Sequence, residues 1–158
     1  MKILGIDPGT ATMGWGIIQV KSQKSKVKSY GVIRTLAKFS DSQRLATIAQ
    51  ELIKIIKKYQ PDVAAVEKIF YFKNQKTIIT VAQARGVILQ VCAQAGLKIF
   101  EYTPLQVKQA IACYGRADKE QMQKMVKIHL GLNEIPQPND AADALAVAIC
   151  CANSQVRG

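Results

Sequence analysis

Of the 11 acidic residues in the chain, five sit among apolar or small neighbours rather than in charged company: Asp7, Glu67, Glu101, Asp140 and Asp143. Asp7 closes a strand-like segment in Ile-Asp-Pro-Gly-Thr, and Glu67 closes another in Ala-Val-Glu-Lys-Ile. Asp140 and Asp143 occur in Asn-Asp-Ala-Ala-Asp-Ala, where a spacing of three puts both on one helical face, one turn apart. Strand ends and helix starts can meet at one edge of a sheet. Carboxylates crowded there repel and raise one another's pKa. A divalent cation relieves the repulsion, and Mg²⁺ accepts hard oxygen ligands while keeping positions for water and phosphate. Two such ions about 4 Å apart can activate a water and stabilise the leaving oxygen in phosphodiester hydrolysis. Taken singly, each acid has a plainer use. Asp before Pro-Gly suits a turn, Asp140 and Asp143 suit the positive end of a helix, and Glu67 could lie exposed where a strand stops. Spacing alone does not exclude Glu101 from the set.

The elements that must position these acids follow from hydrophobic period and punctuation. Strands are expected over 2–7, 14–20 and 27–34, with a lysine-rich turn at 21–26. No connection among them is long enough for a crossover helix, so they form an antiparallel meander. Apolar residues at helical spacing from Leu45 to Tyr59 predict a helix over 42–59, and Ser40 with Gln43 offers a capping box. Val63-Ala64-Ala65-Val66 reads as a strand covered on both faces. A helix is expected over 76–95, stopping at Gly96, and a fifth strand over 97–102. Thr103-Pro104 and Asp118 start two further helices, and a last one runs from Asn139 to about Cys151. The expected fold is an α/β domain spanning 1–158: a mixed five-stranded sheet with an antiparallel edge and helices on both faces.

Bulk properties narrow the partners. With 22 Lys and Arg against 11 Asp and Glu, the net charge of +11 favours a polyanion, and nucleic acid above all. Hydrophobic residues form 49% of the chain, enough for a packed core. No apolar run has the length of a membrane span, and the N-terminus reads as a strand rather than a signal peptide. Cys92, Cys113, Cys150 and Cys151 fit no zinc spacing, and His129 is the sole histidine. The cysteines read as reduced, mostly buried residues of a cytoplasmic protein. After Glu67, the aromatics Phe70, Tyr71 and Phe72 run into Lys73, Asn74, Gln75 and Lys76. Rings among cations can stack on unpaired bases while lysines hold phosphates. Tyr71 and Phe72 fit a core or a dimer contact equally well, and Lys76 and Arg85 fit an ordinary solvated helix face.

These residues carry a family likeness. Ile-Asp-Pro-Gly-Thr at 6–10, Val-Glu-Lys-Ile-Phe at 66–70 and Asp-Ala-Ala-Asp-Ala at 140–144 resemble, in order, the three acidic motifs of the RuvC family. Gln83-Ala84-Arg85-Gly86 and the run from Glu101 to Lys108 match between them, so the likeness spans nearly the whole chain. The resemblance implies a ribonuclease H-like fold and a crossover junction endodeoxyribonuclease that makes paired symmetric nicks at four-way (Holliday) DNA junctions in recombination and repair. It places Asp7, Glu67, Asp140 and Asp143 on the family's four catalytic, metal-holding acids, and so leaves Glu101 out. It implies Mg²⁺ or Mn²⁺, two ions per active site, and a homodimer built on the helix at 76–95. Contact with the branch-migration motor proteins is also implied. Phe70 falls on the family's base-stacking aromatic, and Lys108 and Lys119 fall on basic positions near the scissile phosphate. With Lys73, Lys76 and Arg85 they make the expected DNA-binding set. Some family members carry His where this chain keeps Asp140. Three other readings compete: a two-lobed ATPase sharing the Asp-Pro-Gly-Thr loop, a related nuclease acting on structured RNA, and a DNA-binding module without catalysis. The first needs a second lobe and a second such motif, which 158 residues do not provide.

Overall fold

In a computed structural model, residues 1–22, 24–69, 77–112 and 115–156 are described. Five strands, β1 (Lys2–Asp7), β2 (Thr12–Lys21), β3 (Lys24–Arg34), β4 (Val63–Glu67) and β5 (Lys98–Tyr102), form one sheet in the order β3-β2-β1-β4-β5. The first three are the antiparallel meander, while β4 and β5 join β1 in parallel. The sheet is therefore mixed, with an antiparallel edge.

Five helices cover it: α1 (Asp41–Tyr59), α2 (Ile78–Gln94), α3 (Pro104–Ala112), α4 (Lys119–Leu130) and α5 (Asn139–Val156). Alternation along the strands splits the core in two. Leu4, Ile6 and Ile17 point to one face, where they pack with Ile48 and Leu52 of α1 and Ala84, Ile88 and Cys92 of α2. Ile3 and Ile18 point to the other, against Leu145 and Ala148 of α5, with Val107 and Ile111 of α3 and Val126 of α4 in the same cluster. Helices thus lie on both faces, as the doubly apolar strand β4 requires.

Local signals set the helix starts. The Ser40 hydroxyl accepts from the Gln43 amide while the Gln43 side chain accepts from the Ser40 amide, closing the expected capping box. Thr103 with Gln106 and Asp118 with Gln121 make the same reciprocal pair. Gly131, at φ +61°, ends α4 in the left-handed region that favours glycine.

Two expectations shift. Residues 21–26 are not an extended lysine-rich turn, because β2 reaches Lys21 and β3 begins at Lys24. The reversal is tight, with Ser22 at φ +45°, so these lysines stand on paired strands. The last helix also continues beyond Cys151 to Val156, since Ser154 satisfies its hydroxyl on the Cys151 carbonyl instead of breaking the helix. Cys92, Cys150 and Cys151 are buried free thiols, and Cys113 lies outside the described residues. Among the described residues, no helix is long and apolar enough to cross a membrane.

Candidate active site

Asp7 and Glu67 end β1 and β4, adjacent parallel strands in register through Ile6 and Val66. Each acid is the next residue along its strand, so the pair sits side by side at the carboxyl edge of the sheet, about 4.8 Å apart in backbone. That edge is where open α/β sheets bind ligands.

The other two acids arrive on α5, and glycine sets how close it comes. Asp7 pairs across the sheet with Gly14 of β2. A Cβ on Gly14 would lie 1.9 Å from the Asp140 carbonyl oxygen, and one on Gly5 would lie 2.1 Å from that of Ala144. Neither can exist, so α5 rests its backbone on the sheet directly beside Asp7. Asp140 and Asp143, three apart, then face the same point. One carboxylate oxygen from each of Asp7, Asp140 and Asp143 falls within a mutual 4.8 Å.

Glu67 completes the set from the opposite side. Burial pushes the Asp7 carboxyl well above the usual carboxylate range. The charges of Glu67, Asp143 and Asp140 push it further, as does a hydrogen bond shared with Glu67. All four acids retain some exposed surface. Asp7, Glu67 and Asp143 line a cleft of about 300 Å³ together with Lys108, Lys119 and apolar residues of α3, α4 and α5.

Helix capping places the cations. The Asp118 box starts α4 so that Lys119 enters the cleft, with its ammonium 3.5 Å from Asp143. The Thr103 box starts α3 and brings Lys108 to the same wall. The side chain of Gln123 donates to that of Asn139 at 2.9 Å, tying α4 to the head of α5.

Three of the ten predicted site residues, Phe70, Lys73 and Lys76, lie outside the described residues. Arg85 is placed elsewhere. It projects from α2 into an ion pair with Glu101 of β5 and is less than a quarter exposed. The same pair explains why Glu101, apolar in its neighbours, stands outside the acid cluster. The contribution of Gly5 and Gly14 was missed in the sequence. Their signal is a glycine where β1 and β2 meet the first turns of α5, which only the packing makes legible.

The donor set suits a divalent hard cation. All four groups are carboxylates, and three offer oxygens toward one point. Among the described residues, no hydroxyl, thiol or imidazole lines the cleft. Hydrolysis there would use water as the attacking group.

The model of a family described as crossover junction endodeoxyribonuclease RuvC matches residues 3–151. A protein of that name from Caldicellulosiruptor saccharolyticus is 58% identical over 151 residues, covering 95% of this chain and 91% of its own. The Thermus thermophilus RuvC structure superposes with a TM-score of 0.92 at 33% identity, covering 100% of this chain and 97% of that one. The same protein in complex with a Holliday junction substrate gives 0.90 at 31% identity, with the same coverage.

Proposed function

The chain belongs to the RuvC family of crossover junction endodeoxyribonucleases, and on that footing we propose that Asp7, Glu67, Asp140 and Asp143 are its catalytic acids. The chain is a DNA-cleaving hydrolase acting on Holliday junctions. The approach of three carboxylate oxygens within 4.8 Å, with Glu67 hydrogen-bonded to one of them, is the observation that supports the assignment.

Asp7, Asp140, Asp143 and Glu67 would hold Mg²⁺ or Mn²⁺, two ions per site. When bound, such ions supply Lewis acidity and lower the pKa of water. The carboxylates orient the attacking water by accepting its hydrogen bonds, and one of them takes its proton. Lys108 and Lys119 place ammonium groups on the cleft wall, where they would offset the charge of the scissile phosphate. Lys119 does so while held near Asp143. Phe70, Lys73 and Lys76 follow Glu67 in sequence and would meet the unpaired bases and phosphates of the branch point. Arg85 would act on DNA through the segment it anchors, since its guanidinium is engaged by Glu101.

Paired nicks need two active sites, so the working unit is a homodimer. Ile79, 70% exposed near the start of α2, gives that helix an apolar surface beyond its buried side. Contact with branch-migration motors and a cytoplasmic location complete the reading, and both rest on the family likeness. We read 1–158 as one nuclease domain.

The test is a labelled synthetic four-way junction with Mg²⁺. The wild-type protein should give symmetric, religatable nicks. Asp7→Asn should bind the junction and fail to cut it, because a ligand charge is removed and the basic surface is kept. Cutting by Asp7→Asn at the wild-type rate overturns the assignment.

A further inference from the structure

The end of the sheet opposite the acids is a line of lysines. Strand register shows the line directly. Lys2 of β1 pairs with Gln19 of β2, which pairs with Lys26 of β3, and Lys21 pairs with Lys24 two positions on. In the other direction Ile3 pairs with Val63, and Val63 with Lys98 of β5. Lys98 therefore shares the face of Ile3 and Val63, opposite that of Lys2, with its ammonium over the Phe100 ring, and β4 adds no lysine to a sheet end roughly 19 Å wide. The end of α1 joins it, because the Lys2 ammonium donates to the Tyr59 carbonyl at 2.9 Å, next to Lys57 and Lys58.

Two acids near this end have partners within it. Asp62 accepts the Lys2 amide at 2.6 Å, and Glu51 pairs with Lys54 at 2.6 Å. Lys21, Lys24, Lys26, Lys57, Lys58 and Lys98 are all exposed. Lysines on an edge strand guard against unwanted pairing, and lysines at a helix C-terminus complement its dipole. Those uses account for β3 and α1 separately. They do not require the lysines of four elements to align at one end.

We propose that this lysine line is a second DNA-binding surface, holding the phosphates of a duplex segment other than the one being cut. Asp7 lies five residues along β1 from Lys2, or about 17 Å, at the opposite edge. Duplex DNA carries a charge about every 1.7 Å, so a segment laid across the line meets several phosphates at once. Point-charge ammonium groups fit contact with the backbone and not with base edges. The identification of the polyanion rests on the chain's being a junction nuclease. The surface itself does not depend on which acids cut.

The experiment measures binding of a linear duplex of about 30 base pairs across a salt series by fluorescence anisotropy. The variants are K24E/K26E, the milder K24Q/K26Q, and K38E/K124E as a control with the same charge change elsewhere. Single-turnover cleavage of a junction with short arms is measured in parallel. K24E/K26E should lose about tenfold in duplex affinity near 0.1 M salt, and its log–log salt slope should flatten by about two. K24Q/K26Q should show a smaller loss in the same direction, and both should cut the short-armed junction at the wild-type rate. Equal losses in K24E/K26E and K38E/K124E overturn the proposal, since only bulk charge would then matter. So does slowed cutting of the short-armed junction, which would place these lysines in the catalytic cleft. So does unchanged duplex binding with lost binding to phosphatidylserine vesicles. Failure of the catalytic assignment is read separately, from Asp7→Asn, which should leave duplex binding intact.

Discussion

The two ends of this sheet hold opposite charges by opposite means. At the carboxyl edge, four acids from β1, β4 and α5 are pressed together by close backbone packing, partly out of water, with Lys119 and Lys108 on the cleft wall beside them. At the far edge, lysines are spread along the strand register and stand in solvent. Crowded, half-buried charge works against the fold and needs a ligand to settle it. Dispersed, exposed charge is nearly neutral to stability and acts additively on a polyanion. Substitution should therefore be all-or-none at the first end and graded at the second.

The largest contrast is expected from Asp7→Asn. Loss of an outer-shell partner at a metal site already costs 10–100-fold, so loss of a direct carboxylate should reduce junction cleavage by at least about a hundredfold. The same change should raise the melting temperature in EDTA, because a charge held against burial and three like charges is gone. A drop in melting temperature would show that the acids are not in conflict, and the contrast between the two ends would collapse.

Gly14→Ala tests whether backbone approach builds the acid end. With its Cβ aimed 1.9 Å from the Asp140 carbonyl, the substitution should destabilise by roughly 1–3 kcal/mol. It should also weaken Mn²⁺ binding, followed by calorimetry on the folded fraction. Unchanged Mn²⁺ affinity in a destabilised Gly14→Ala protein would mean that α5 needs no such seat to present Asp140. Alanine at Gly86, where nothing lies within 4 Å, is the matched control and should be neutral or mildly stabilising.

Arg85 and Glu101 lie between these extremes, a paired charge neither crowded nor free. Removing one partner leaves the other in a site about a third exposed or less, at a cost of about 1–2 kcal/mol. Denaturant unfolding of Arg85→Met, Glu101→Gln and the double variant would give their coupling. Additive losses would mean that the pair contributes nothing beyond its separate packing.

The smallest effect concerns the neutral layer between the ends. Burial pushes the Cys92 thiol up to about 12, above its ordinary value near 9. A group whose folded pKa is raised adds stability that is present below the unfolded pKa and fades as pH climbs toward the folded one. Melting temperature should fall from about pH 9 upward, and less steeply in Cys92→Ala. Identical slopes would assign the alkaline loss to other groups.

Much of this was readable in advance, and the gaps have physical causes. Repeats of apolar residues and capping residues such as Ser40, Thr103 and Asp118 mark the helices, because both act within a few residues. The spacing of Asp140 and Asp143 shows their common face for the same reason. That Asp7 and Glu67 adjoin depends on β4 inserting beside β1, a pairing across 60 residues that no local pattern carries. The family likeness, not spacing, gathered the four acids. The lysines of 21–26 suggested a turn because charge and turn are correlated, yet an edge strand tolerates charge equally well. Arg85 looked like a free cation since its partner Glu101 lies on another element.

The seat of α5 on Gly5 and Gly14 has one further consequence. A main chain held by contact with another main chain does not move when a side chain upon it is exchanged. Under the proposed assignment of Asp140 as a metal ligand, the donor atom at position 140 can therefore be changed, from carboxylate oxygen to imidazole nitrogen for instance, with the helix left in place. Ion preference and scaffold integrity become separately adjustable properties, and the enzyme's appetite for one metal over another can drift by single substitutions while its architecture stays still.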